Sequence, residues 1–271
     1  MLGSEVYTMN RNDQQAYDRG TSLFSPDGRI YQVEYAREAV KRGASSVGVR
    51  TADGVVLAAQ RRTSSNLMET ESIEKLHKLD EFLGAASAGH VADARQLVDD
   101  ARTEAQRNRL RYGEPLGVET LTKTLSDQIQ ESTQIGGTRP FGASLLIGGV
   151  DGDVGRPSPP AREADSDEGR DVRPRLFQTD PSGAPQEWKA VAIGSNRGDI
   201  QEFLEDEWNE DISVDDGVTL AIRALLVGED DLTAEEIAIS TISAEGYHQV
   251  EDDDVSAIIE EFGGSGDDDE E

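Results

Sequence analysis

The chain has no cysteine, which excludes disulfides, thiolate catalysis and sulfur-ligated zinc. It has three histidines, His77, His90 and His248. They are widely spaced with no helical i, i+4 partner, so each reads as a structural or surface residue and not as a metal ligand or triad member. No apolar run approaches the roughly 20 residues a membrane helix needs. The N-terminus lacks a basic segment followed by an apolar core, so no secretory signal is apparent and a cytoplasmic protein is expected. Met9 is an alternative start to Met1. Lysine is scarce as well: Lys41, Lys75, Lys78, Lys123 and Lys189 are all there are, so 21 of the 26 basic residues are arginine.

Acid dominates what is present. The 271 residues hold 55 Asp and Glu, giving a formal charge of −29 and a pI near 4.3. That charge disfavours nucleic acid and anionic membranes as partners. It also makes the chain repel itself, which salt screens. Acid excess with little lysine suggests a halophile. The length suits one large domain or two small ones, with a sizeable core.

Residues 16–42, AYDRGTSLFSPDGRIYQVEYAREAVKR, form an arm, an elbow and a helix. The polar arm ends in Tyr17-Asp18-Arg19. Ser25-Pro26-Asp27-Gly28 is a turn, with Pro fixing φ at the first central position. An amphipathic helix is expected over about 29–41, with Ile30, Val33, Ala36 and Val40 on one face and Gly43 placed to stop it.

Further along, 45–51 and 54–60 form a hairpin across Ala52-Asp53-Gly54. The second run, being nearly all apolar, is expected to be buried on both faces. Short strands are expected near 75–80 and 82–88, helices from Val91 to about Tyr112 and over 118–133, and a buried strand at 142–150. Residues 151–174 are rich in proline and charge and read as an exposed loop. Strands are expected at 175–179, 187–193 and 236–243, helices at about 199–208, 215–227 and 254–262, and a disordered acidic tail at 263–271. Two successive helices between strand groups do not suit a doubly wound sheet. They suit an α+β protein, a four-layer α-β-β-α sandwich of two antiparallel sheets with helices outside each.

Catalytic signatures are weak. No glycine-rich phosphate loop runs into Lys-Ser or Lys-Thr. Gly194-Ser195-Asn196-Arg197-Gly198 places its serine second, so it does not match G-x-S-x-G. The Asp252-Asp253-Asp254 and 267–271 runs lack calcium-loop spacing and read as solvated charge.

FSPDGRIYQVEYAREAV closely resembles the N-terminal signature of proteasome α-type subunits, and Tyr17-Asp18-Arg19 resembles their gate motif. SIEKL (72–76), GHVADAR (89–95), RPFGASLL (139–146), RLFQTDPSG (175–183) and AIGS (192–195) also look like α-subunit segments. The resemblance spans nearly the whole chain except 151–174 and the ends. It implies the same sandwich, shared by N-terminal-nucleophile hydrolases. It further implies a homo- or hetero-heptameric α ring stacked on rings of catalytic β subunits, admitting unfolded protein substrates and docking an AAA ATPase ring. No cofactor and no catalytic residue is implied.

Catalytic β-type subunits use an N-terminal threonine whose own amine is the base. Aligned on the hairpin, that position falls at Ala44, which has no hydroxyl, and the supporting aspartate falls at Gln60. By resemblance, residues 1–19 are gate arm and anchor, with Tyr17, Asp18, Arg19 and Pro26 as gate residues, and 20–262 are one domain. The resemblance also implies an activator-docking pocket of Lys75, Gly28, Arg29, Glu34 and Gly89. There Lys75 receives an activator's C-terminal carboxylate through a charge-assisted bond. The competing readings are an ordinary surface Lys75 paired with Glu71 or Glu74, an active threonine protease of β type, and a standalone acidic binding domain.

Overall fold

The computed structural model describes residues 30–65, 67–135, 138–152, 154 and 172–263. Two five-stranded antiparallel sheets lie face to face. The first runs β10-β9-β2-β1-β8, with β1 Ser46–Arg50, β2 Gly54–Gln60, β8 Ala190–Ile193, β9 Ile237–Ser243 and β10 Gly246–Gln249. The second runs β3-β4-β5-β6-β7, with β3 Leu76–Asp80, β4 Leu83–Gly89, β5 Ala143–Gly152, β6 Val172–Thr179 and β7 Pro185–Glu187.

Six helices complete the described fold: α1 Tyr31–Lys41, α2 Val91–Tyr112, α3 Val118–Gln134, α4 Arg197–Glu207, α5 Val214–Gly228 and α6 Asp252–Gly263. Successive strand residues point to opposite faces, and that alternation sorts the apolar residues into three cores. Val56, Ala58, Ala190 and Ala192 face α4 and α5, whose Leu204, Ala221 and Leu225 cover them. Leu145, Ile147 and Phe177 face α2 and α3. Their neighbours Val55, Leu57, Leu146, Leu176, Val191 and Ile193 meet between the sheets. Three parallel cores make the four-layer α-β-β-α sandwich, and β2 is buried along its whole length as its apolar run requires.

The elements depart from sequence expectation in four places. Helix α1 begins at Tyr31, with Ile30 as an uncapped N-cap. The expected strand over 187–193 is two strands: β7 belongs to one sheet and β8 to the other, with Trp188 and Lys189 crossing between. Trp188 N–H donates to the Leu176 carbonyl and Arg50 N–H to the Lys189 carbonyl, so each of these backbone groups at the crossing stays satisfied. The 151–174 loop is shorter than its composition suggests, because Asp151 pairs with Arg173 and Gly152 with Val172 in the β5–β6 ladder. Strand β10, opened by Gly246 at φ +112°, is an addition, too short to carry a readable alternation.

One acid fastens the start of helix α2 to the segment that enters β5. Asp93, in its first turn, accepts from Gly142 N–H at 2.8 Å and from both terminal nitrogens of Arg139, at 2.5 and 2.6 Å. The Arg139 hydrogen bonds, with help from Gly142, hold the Asp93 carboxyl below its ordinary range against the opposing effect of burial. A depressed carboxyl contributes stability that is fully present above its unfolded value near 3.8 and lost as pH falls through the folded value. Denaturant unfolding of Asp93→Asn beside the parent, in molar salt, is therefore expected to show a stability gap at pH 6 that closes below pH ~4. A gap independent of pH would contradict this role.

Candidate functional site

One corner of the sandwich gathers the residues of interest. Helix α1 lies across the ends of β4 and β5, with Val40 entering the core between the sheets. The chain then runs through Arg42, Gly43, Ala44 and Ser45 into β1. Gly43 does not stop the helix by a left-handed turn: Arg42 is the C-cap, in the right-handed region. Gly43 is needed for space, since a Cβ there would stand 2.4 Å from the Gly89 amide nitrogen. Gly89 ends β4 at φ +104°, and a Cβ on it would stand 2.3 Å from the Gly142 carbonyl oxygen. On the other side Ser195 N–H donates to the Gly43 carbonyl at 2.8 Å. The 42–45 segment is thus wedged between the ends of the two sheets.

Lys75 enters this corner from the residue before β3. Its Nζ donates to the Ala44 carbonyl at 2.7 Å. Burial, aided by the nearby Arg62 charge, lowers the ammonium's pKa from 10.5 to about 7. Glu71 and Glu74 are exposed, and among the described residues no carboxylate forms an ion pair with Lys75. His77, two residues on, is buried beside Ser87 Oγ at 3.4 Å, and burial lowers its pKa to about 4, so it is neutral at physiological pH.

Around Ala44 lie further polar groups. Ser45 Oγ donates to the Ser195 carbonyl at 2.7 Å and lies 3.2 Å from Ser195 Oγ. Gln60, buried at the end of β2, donates from Nε2 to Glu229 at 2.7 Å. Arg62 bonds the same Glu229 oxygen at 3.3 Å and Ser195 Oγ at 3.3 Å. No hydroxyl stands at position 44, and the peptide continues upstream into α1, so no free amine stands there either.

Of the sequence-implied pocket residues, Lys75 and Gly89 meet at this corner through Ala44 and Gly43. Glu34 stands apart, on the outer face of α1. It accepts from Arg37 Nη1 at 2.7 Å, and Arg37 Nη2 bonds Asp180 in the β6–β7 turn at 2.8 Å. A cavity of about 460 Å3 opens beside that pair, lined among others by Val40, Gln178 and Asn196. Gly28 and Arg29, with Tyr17, Asp18, Arg19 and Pro26, lie outside the described residues. Ser45, Arg62, Ser195 and Glu229 were not singled out from sequence as part of this site. Ser195 figured there as a failed nucleophile elbow and within the resembling segment AIGS, and nothing in the sequence spacing joins it to Arg62 or Glu229.

Two facing antiparallel sheets between helical layers, with upstream chain closing one end of the cleft, define the proteasome-subunit class of the N-terminal-nucleophile sandwich. A profile described as "Proteasome subunit" matches residues 40–158 and 168–242, and a second, for the N-terminal signature of the A-type proteasome subunits, matches 17–39. The proteasome alpha 2 subunit of Haloferax volcanii is 63% identical over 251 residues, covering 93% of each chain. The proteasome alpha subunit of Halobacterium salinarum is 56% identical over 255 residues, again 93% of each. That of Haloquadratum walsbyi is 55% identical, over 91% of this chain and 92% of its own. The chain belongs to the proteasome α-subunit family, and the α-type signature favours the α reading over the β alternative.

Gly89→Ala places a methyl group against a backbone oxygen in a conformation L-residues rarely adopt. It is expected to cost about 2 kcal/mol or more in unfolding free energy. Chemical denaturation in molar salt measures it, and parental stability would show that the corner yields more easily than its geometry indicates.

Proposed function

We propose that this chain is the non-catalytic, gating and docking subunit of a proteasome core particle, forming a heptameric outer ring over rings of β subunits. Residues 1–19 act as gate arm and anchor, with Tyr17, Asp18 and Arg19 as the ordered part and Pro26 as the elbow. Lys75, with Gly28, Arg29, Glu34 and Gly89, receives the C-terminal carboxylate of an AAA ATPase ring, and unfolded protein enters through the gate. Cleavage belongs to the β subunits.

The observation that carries this reading is Lys75 itself. It is a partly buried ammonium, desolvated and without an acidic partner among the described residues, held on the carbonyl of a residue that has no nucleophile. Such a charge is costly unless a carboxylate reaches it. A charge-assisted bond to a terminal carboxylate contributes about 1.5–3 kcal/mol, and occupancy of several pockets around a ring multiplies the effect. On this reading Glu34 and Lys75 lie apart within one chain because the pocket lies between neighbours.

In a core particle reconstituted with β subunits, Lys75→Ala is expected to abolish ATPase-stimulated degradation of a folded, tagged substrate. Ring assembly, read by native mass, and basal peptide cleavage should be spared. Lys75→Arg keeps the charge in another shape and should rescue partly. Wild-type degradation by Lys75→Ala would return Lys75 to an ordinary lysine.

A second experiment addresses the arm. Deleting residues 2–16 is expected to speed entry of an unfolded protein several-fold while hardly changing cleavage of a tripeptide reporter, because the arm is polar and has little to bury. Equal acceleration of both substrates, or of neither, would contradict gating.

A further inference from the structure

Lys75 shares its corner with a second cation. Arg62, just past β2, reaches Gln60 Oε1 at 3.5 Å, Ser195 Oγ at 3.3 Å and Glu229 Oε2 at 3.3 Å. All three are longer than the usual N–H···O range of roughly 2.7–3.2 Å. The Glu229 oxygen is already held more closely by Gln60, at 2.7 Å. The Arg62 side chain is 45% exposed, and a guanidinium carries five donors, so much of its bonding capacity stays available.

A short chain of contacts connects the two cations. Lys75 bonds the Ala44 carbonyl, Ser45 is the next residue, Ser45 Oγ meets Ser195 Oγ, and Ser195 Oγ meets Arg62. Two cations therefore flank Ala44-Ser45, and one carboxylate, Glu229, answers them from the Arg62 side. The remaining groups do not change that balance. His77 from β3 is neutral, Glu71 and Glu74 are exposed, and Ser87 from β4 is uncharged.

We propose that Arg62 is a second cation of this carboxylate site, held on Glu229 and Ser195 in the free chain and shared with the incoming C-terminal carboxylate when one docks. The proposal rests on the reading of Lys75 as the docking residue. Lys75 alone offers a point charge that any anion satisfies. Adding a planar guanidinium supplies a fork that fits a carboxylate bidentately and gives no such fit to an amidated terminus.

The pair also makes docking depend on pH. An arginine side chain keeps its charge through the neutral range, so mutual repulsion within a desolvated corner acts on the lysine proton. Above about pH 7 Lys75 is largely neutral in the free chain. A docking carboxylate must then draw a proton onto it. Affinity should be level below that pH and fall about tenfold per pH unit above it, until the bound-state value is reached. Lys75 is largely buried, so molar salt weakens this coupling without removing it.

The test uses the full chain assembled with its β subunits in molar KCl. Competitive acetylation by acetic anhydride, read by mass spectrometry at the peptide holding Lys75, titrates that amine with no activator present. Wild type is expected to titrate near 7. Arg62→Gln should shift the titration upward by roughly half to one pH unit, Glu229→Gln should shift it downward, and Arg62→Lys should restore it. The second arm uses a synthetic decapeptide copying the C-terminus of the ATPase in the degradation assay, with its terminus free or amidated. The free form should protect Lys75 from acetylation and the amidated form should not. Arg62→Gln should bind the free form several-fold more weakly at pH 6.5, with its decline beginning at higher pH.

A Lys75 titration unmoved by both Arg62→Gln and Glu229→Gln overturns the proposal. So does a shifted titration with parental peptide affinity at pH 6.5, which would leave Arg62 a neighbour and not a ligand contact. If wild type fails to distinguish free from amidated peptide, the docking reading of Lys75 fails, and this proposal with it.

Discussion

The closeness of the two sheets governs the rest of the structure. Side chains from both inner faces must share one layer, and the strands make room with glycine: a Cβ at Gly148 would stand 2.7 Å from Val55, and one at Gly48 2.8 Å from Leu176. Sheets packed this tightly push polar groups toward the ends of the cleft. At one end the chain closes the opening with its own helix. The 42–45 segment fits there only because positions 43, 89 and 194 carry no side chain. A Cβ at Gly194 would approach the Ala44 carbonyl to 2.6 Å. The polar corner follows from that closure, since Lys75 and Ser195 can reach the Ala44 segment only when both sheet ends are drawn against it.

The charge distribution gives the corner its significance. A chain of formal charge −29 readily pairs its few cations. Lys41 meets Glu38, Lys123 meets Glu119, and Arg107 meets Glu104, each within about one turn of its own helix. Such exposed pairs contribute little, and molar salt reduces them further. Arg175 is better placed, with Glu119 and Glu187 both within 2.9 Å. Among the described residues Lys78 and Lys189 make no such pair but lie exposed over the Tyr247 and Trp208 rings. Lys75 differs from all four other lysines in being drawn out of solvent without an acidic partner among the described residues. In so acidic a chain an unpaired ammonium is not for want of carboxylates. Glu71 and Glu74 stay in solvent, and the one carboxylate of the corner, Glu229, is taken up by Gln60 and Arg62.

The layers of the fold were legible in the sequence because β2 and β5 read as apolar runs that must be covered on both faces, and because two helices follow one another between strand groups. Boundaries were legible where a residue enforces them, as at Gly113, in the left-handed region at φ +73° just past α2. The crossing at Trp188 was not legible. Nothing in QEWKAVAI breaks an extended chain, and the switch from one sheet to the other depends on which edge strand offers pairing groups, a fact of the assembled sandwich. Likewise Lys75, Ala44 and Gln60 could be picked out singly, whereas Arg62, Ser195 and Glu229 could not. They come from three separate parts of the chain, and only β-sheet closure brings Arg62 to within hydrogen-bonding distance of the other two.

On the proposed reading, this corner recognises a carboxylate where a β-type subunit would cleave. Hydrolysis there would need a hydroxyl and a free amine at the residue that is Ala44 here, and both are absent: the side chain is a methyl group and the backbone nitrogen is an amide within a continuous chain. What remains is a desolvated cation, a carbonyl that orients it and a ring of small residues that keeps larger side chains out. Those are the requirements for capturing a carboxylate. Helix α1 is joined by two residues to the carbonyl on which the cation rests. On the proposed reading, an anion arriving at Lys75 bears on the C-terminal end of α1 through the Ala44 carbonyl.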